Sequence, residues 1–193
     1  MRKELLEAVN SNLVQDVLHG FEDKVNLWKG TEFEFYFSLH NTQQGKVGEA
    51  FVSSYMRDAG SIISGRSGSM GHDKTIDGMK VEIKFSLQKV KPDDFVFNHI
   101  SVGKDWERII FCGLNVDLDS SLFVWCDKSD FADHIGFTQN RGPFQHAQGG
   151  NSMNNDDFII SGPVRVREFM RLPFVKSISA WTKPPRGVEL FLC

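Results

Sequence analysis

The sequence predicts a single α/β (α+β) domain. Apolar residues recur at helical spacing over residues 2–19, from Asn41 or Thr42 to about Asp58, and over residues 164–172. Between these lie strand-patterned runs at 61–64, 74–85, 106–114 and 121–126. No repeat or linker interrupts the series, and 193 residues are enough for one sizeable core. Hydrophobic residues at 40% and charged residues at 24% are ordinary globular values. Phenylalanine, at 17 residues, supplies core volume without a polar tip to satisfy.

Taken in order, Leu5, Leu6, Val9, Leu13, Val14, Val17 and Leu18 define the first helix, which Gly20 stops. Residues 1–40 are expected to form an N-terminal helical or dimerisation region. Within it, Phe33, Phe35, Phe37 and Leu39 alternate with polar residues as a strand does, although a Glu-rich aromatic segment also suits a helix. Either way they belong to the core or to a subunit interface. Residues 41–130 are expected to form the central part of the domain. In its first helix, Val47, Phe51, Val52, Tyr55 and Met56 face the core, and Glu49 lies near the border of that stripe. Gly45 and Gly48 sit in the first turns, where glycine costs about 1 kcal/mol. Their presence points to a close backbone or ligand.

Residues 71–86, GHDKTIDGMKVEIKFS, read as a β-hairpin. Asp77-Gly78 is a two-residue turn that needs φ > 0 at both positions. Counting from it opposes Ile76 to Met79, Thr75 to Lys80, Lys74 to Val81, and Asp73 to Glu82. Met79, Val81, Ile83 and Phe85 then share an apolar face, while Asp73, Lys80, Glu82 and Lys84 share the other. Opposed carboxylates lie about 5 Å apart at Cβ and repel unless a cation sits between them. A hard divalent cation with oxygen ligands fits, with Lys84 beside it. Lys-Val-Glu-Ile-Lys is also how an edge strand with solvated charges is written. The acid-to-acid register, the Gly/Ser-rich run at 61–72 and the upstream Glu49 favour the site.

These residues carry a resemblance. Asp73, a spacer, then Glu82-Ile83-Lys84 resembles the core of the PD-(D/E)xK nuclease superfamily, with His72 where the family name has Pro. The run Gly45-Lys46-Val47-Gly48-Glu49 is similar to the Gly- and Glu-bearing helix many members carry. The resemblance covers roughly Gly45 to Ser86. It implies a central mixed β-sheet flanked by helices, the restriction-endonuclease-like core. It also implies Glu49, Asp73, Glu82 and Lys84 as catalytic residues. Mg²⁺, with Mn²⁺ as a substitute, would be held by Asp73, Glu82, the Ile83 main-chain carbonyl and Glu49. The implied activity is double-stranded DNA cleavage leaving 5′-phosphate ends, most simply by a homodimeric type II restriction endonuclease. A structure-selective or phage-type nuclease, a non-catalytic DNA-binding module and an interaction domain with a solvated hairpin remain as alternatives.

The rest of the chain adds candidate DNA contacts. Lys80, Lys84, Lys89 and Lys91 form the densest basic cluster in the sequence: a solvated face, or, beside a carboxylate site, a phosphate track. Arg66 is a further candidate, equally suited to a surface loop. Residues 136–160 are expected to be a DNA-recognition loop, in which Arg141, Gln145, His146, Gln148 and Asn151 are able to pair with base edges. A surface loop without readout is the plainer alternative.

A net charge of −3 neither advertises nor excludes a nucleic-acid partner. Cys112, Cys126 and Cys193 lack metal-ligand spacing, which argues against a zinc site or disulfide scaffold. No signal peptide or long apolar run is present, so a soluble, cytoplasmic protein without membrane contact is expected.

Overall fold

Glu82 is approached from three directions: by its own hairpin, by a parallel strand and by a second, smaller sheet. The structure is a computed structural model, and it describes residues 27–65, 71–138, 143, 145–146 and 157–181. The chain divides into two compact units, residues 1–39 and 40–193. Among the described residues the second unit is a mixed α/β structure. Its helices are α1 (Asn41–Asp58), α2 (Lys128–Thr138) and α3 (Pro163–Met170). Its strands are β1 (Ile63–Ser64), β2 (Lys74–Ile76), β3 (Met79–Leu87), β4 (Val96–Ser101), β5 (Arg108–Leu114), β6 (Leu122–Asp127), β7 (Gln145–His146), β8 (Asp157–Ser161) and β9 (Lys176–Ser177).

Six strands form one sheet in the order β1-β2-β3-β5-β6-β9. Only β3 and β5 run parallel in it. Strands β4-β8-β7 form a separate antiparallel sheet. In the first unit, residues 27–39 are turns and one short 3-10 helix, Tyr36–Ser38, in place of the alternating strand. Thr31, Glu34, Tyr36 and Ser38 each donate a backbone bond to the carbonyl three residues back, so the chain turns repeatedly. Tyr36 is buried, and Phe35 is 72% exposed. The segment 2–19 lies outside the described residues.

Helix α1 is capped by His40, one residue before Asn41 and two before Thr42, because Gln43 reaches back to the His40 N–H at 3.1 Å. It ends where Gly60, at φ 84°, lets Gly60 and Ser61 donate to the Arg57 and Met56 carbonyls. Val52 and Met56 are buried, and Gly48 is pressed against β3. A Cβ built on Gly48 would lie 2.2 Å from Phe85 Cβ. Gly45 has nothing within 4 Å, so only the second glycine marks a close approach. Tyr55 is half exposed, with its ring 4.6 Å from that of Phe123.

The hairpin forms as the turn chemistry requires. Asp77 and Gly78 both have positive φ, 51° and 87°, and the register is Ile76↔Met79, Thr75↔Lys80, Lys74↔Val81. Strand β3 is not an edge, however. Its other side pairs with β5, aligning Glu82 with Ile109 and Lys84 with Phe111. Partners in a ladder point the same way. The charged side of β3 therefore faces the same way as Ile109 and Phe111, into the main aromatic core with Phe95, Phe97, Trp106, Phe131 and Phe169. Val81, Ile83 and Phe85 face α1, with the Phe51 and Phe85 rings 5.6 Å apart. The solvated-edge alternative fails because β5 pairs along the other side of β3 and Glu82 and Lys84 are largely buried, 2% and 14% exposed.

Three elements were not legible in the sequence. The connector after the hairpin leads into β4, where a register shift between Phe97 and Ile100 breaks the alternation that marks a strand. Helix α2 runs through Thr138, into the start of the expected loop. Gln145 and His146 lie in β7, paired with Ile159 and Phe158 of β8, so that segment is not one continuous loop. Cys112 and Cys126 are buried free thiols.

The α1–β3 contact yields a paired test. Gly48→Ala is expected to lower unfolding free energy by about 1–3 kcal/mol through overpacking. Gly45→Ala is expected to raise it by about 0.5–1 kcal/mol through helix propensity. Urea denaturation of both variants checks the contrast.

Candidate metal and catalytic site

Regular pairing of the hairpin stops at Lys74↔Val81, and the side chain of Asp73 makes the next bond. The Asp73 N–H donates to the Val81 carbonyl at 3.0 Å. The Ile83 N–H then donates to Asp73 Oδ2 at 2.7 Å. A carboxylate thus occupies the place of a main-chain acceptor at the open end of β2. In an antiparallel ladder a residue's N–H and C=O point to the same side. The Ile83 carbonyl is therefore directed toward the same edge as the Asp73 carboxylate.

Glu82 lies beside this edge on the core face and is 2% exposed. Its Oε1 accepts from two ammonium groups, Lys84 Nζ at 2.8 Å and Lys104 Nζ at 3.1 Å. Its Oε2 is buried and has no hydrogen-bond partner. Lys84 also donates to the His99 carbonyl at 2.8 Å. His99 is a non-glycine residue at φ 52°, inside the β4 irregularity. Such backbone strain is sustained only where the surroundings impose it. Here it aims a carbonyl at Lys84. Lys104 stands in the loop after β4, and its own carbonyl accepts from Lys128 Nζ at 2.5 Å.

Burial, first, and then the Glu82 charge push the Asp73 carboxyl up to about 6. Glu49 pushes the same way, while the Ile83 N–H and Lys84 oppose it. Two acids are thus held together where water screens them poorly. Asp73, the unpartnered Glu82 Oε2 and the Ile83 carbonyl are hard oxygen donors, the type that Mg²⁺ or Mn²⁺ takes. Among the described residues no group of three His, Cys, Asp or Glu side chains gathers as a metal cluster. Remaining positions on such an ion would fall to the carbonyl and to water.

Glu49 is near enough to act on Asp73, but its Oε2 pairs with Lys74 at 3.2 Å. Lys74 shares the face of Val81, so this ion pair lies on the α1 side of the sheet. Lys80 is held by Asp105 at 2.6 Å. Lys89 and Lys91 are exposed beyond the opposite end of β3. The basic cluster of the sequence is therefore drawn out along a nine-residue strand, roughly 30 Å long. Asp77, the hairpin's other aspartate, is occupied in the turn, accepting from the Ile62 N–H at 2.9 Å and the Trp181 indole at 3.0 Å. Arg66, Arg141, Gln148 and Asn151 lie outside the described residues, and Gln145 and His146 are placed by backbone in β7.

Sequence reasoning missed Lys104, His99 and the Lys74 partner of Glu49. Nothing local signals the first two, because Lys104 is 22 residues from the carboxylate it meets and His99 is 15 residues from Lys84. Lys74 was legible as the inward partner of Val81. No protein-family model matches the chain, and a search of curated proteins returns no match.

The raised Asp73 value sets a pH dependence. Between about 4 and 6 the folded protein keeps a proton that the unfolded chain releases, so folding gains from Asp73 at low pH. That gain is lost as pH rises through about 6. Asp73→Asn keeps an acceptor for the Ile83 N–H and removes the charge. Without added metal, the variant is expected to melt a few degrees above wild type at pH 7, with the gap closing toward pH 4. Thermal melts across that range check it.

Proposed function

We propose that this protein is a Mg²⁺-dependent endonuclease cutting double-stranded DNA at a specific sequence, built on a restriction-endonuclease-like core. What carries the proposal is the meeting of Asp73, Glu82 and Lys84 at one end of the hairpin, with a buried Glu82 oxygen lacking any partner. A structural ion pair needs only one carboxylate, and here a second acid lies close to it. Two carboxylates and a directed carbonyl are the donor set of a hard cation.

Asp73, Glu82 Oε2 and the Ile83 carbonyl would hold the ion. When bound, Mg²⁺ supplies Lewis acidity at a phosphoryl oxygen and lowers the pKa of water. Lys84 orients the attacking water and offsets charge developing on phosphorus, as a compact ammonium suits. Glu82 Oε1 and the His99 carbonyl fix that ammonium from two sides. Glu49 acts at one remove, holding Lys74 and adding to the field at Asp73. A homodimer would bring two such sites to the two strands of a palindrome. No helix among the described residues is long and apolar enough to cross a membrane.

Asp73→Ala, Glu82→Ala and Lys84→Ala are each expected to cut plasmid cleavage in Mg²⁺ on the order of 1,000-fold. Gel-shift binding of DNA in Ca²⁺ should be little changed. Glu49→Gln should cost less, about tenfold, because its carboxylate already has a partner. Discrete fragments with ligatable 5′-phosphate ends are the expected product, and a smear would point to a nuclease without sequence preference. A fully active Lys84→Ala protein sinks the assignment.

A further inference from the structure

We propose that Lys104 is a place-holding cation that yields Glu82 when the divalent ion binds and then pairs with the phosphodiester. The inference rests on the metal-dependent reading above. Two ammonium groups share one carboxylate oxygen, and they are held very differently. Lys84 is 14% exposed and has a second acceptor in the His99 carbonyl. Lys104 is 42% exposed, and among the described residues Glu82 is the one acceptor its ammonium has. The Lys104 backbone is tethered, since its carbonyl accepts from Lys128 Nζ, which also lies 5.3 Å from the Trp106 ring. A fixed main chain under a long, half-exposed side chain lets the ammonium move while the loop stays.

Charge balance gives the motion a reason. With both acids ionised, Asp73 and Glu82 are matched by Lys84 and Lys104. A divalent ion then leaves the site with two positive charges in excess. Like charges so close disfavour each other strongly away from bulk water. The more weakly held ammonium, Lys104, is the one that gives way. An incoming phosphodiester, with the charge it gains in the transition state, offsets the same excess and gives Lys104 an anion to meet. The loop also places the ammonium at the open side of the site. Gly71 packs close to Asp105, the next residue, where an added Cβ would lie 3.1 Å from the Asp105 nitrogen. Lys104 therefore stands beside the segment that delivers Asp73.

The test is calorimetric titration of Mn²⁺ into the full-length protein without DNA, with plasmid cleavage as a second readout. Lys104→Met removes the competitor, so it is expected to bind Mn²⁺ about tenfold tighter than wild type, about 1.4 kcal/mol. The same variant should cleave on the order of 100-fold more slowly at saturating Mg²⁺, a loss that more metal does not restore. Lys104→Arg, which keeps the charge, should hold Mn²⁺ affinity near wild type. Equal or weaker Mn²⁺ binding by Lys104→Met overturns the inference and leaves the nuclease proposal standing. Failure of wild type to bind Mn²⁺ overturns both. If Lys104→Met does not fold, Lys104→Gln is titrated in its place. Loss of fold in both that added Mn²⁺ does not rescue overturns the inference, because the ion should then supply the charge that Lys104 gives Glu82 in the metal-free protein.

Discussion

A carboxylate with almost no contact with water has to be matched by positive charge, and the region around Glu82 is arranged by that demand. Burying an isolated charge is prohibitive, and even a paired one regains its desolvation only with close geometry. Lys84 arrives from the same strand face and Lys104 from the loop beyond β4. The left-handed His99 turns its carbonyl to the Lys84 ammonium. Lys128 steadies the loop that carries Lys104. These features are intelligible once Glu82 is placed on the core face. On the solvated face of an edge strand, none of them would be needed.

Much of the hairpin was legible because its determinants are local. Asp77-Gly78 fixed the turn, and the alternation of Met79, Val81, Ile83 and Phe85 fixed the faces. The strands around Phe111 and Trp125 were legible as continuous apolar runs. What the faces look toward was not legible. A charged side normally means water, and here it means a core built by β4, β5 and β6. Strand β4 itself was hidden, because its irregularity puts buried Phe97 and Ile100 three apart instead of two. The lysine cluster, by contrast, is spread out in space: Lys80 and Lys91 are separated by the length of an extended strand. The candidate site was therefore readable as a pair of acids and a lysine, but not as a buried one with a second lysine.

The two sides of β3 divide the work. Toward α1, Gly48 allows backbone to approach Phe85 so closely that any larger residue must displace something. This fixes the helix that bears Glu49 against the strand that bears Glu82. Toward the core, Ser86 accepts the Val96 N–H at 3.0 Å and starts β4 across the strand. Asp73 sits at the sheet margin between the two sides and feels charge from both, Glu82 more than Glu49. A site at such a margin is reached by both layers of the fold, and its geometry depends on both being packed.

The parallel pairing of β3 with β5 also bears on how the chain reaches this state. A two-residue hairpin closes locally and fast, on the order of microseconds. The β3–β5 ladder must wait for the intervening stretch, including β4, to be looped out, which carries a larger entropic barrier. Until then the Glu82 carboxylate remains hydrated, and its ionisation does not oppose the early steps. Its desolvation waits for β4 and β5, with Lys84 already beside it on β3 and Lys104 arriving on the loop after β4. A charge that would obstruct a core assembled around it from the start is thus admitted at the end of folding, already neutralised.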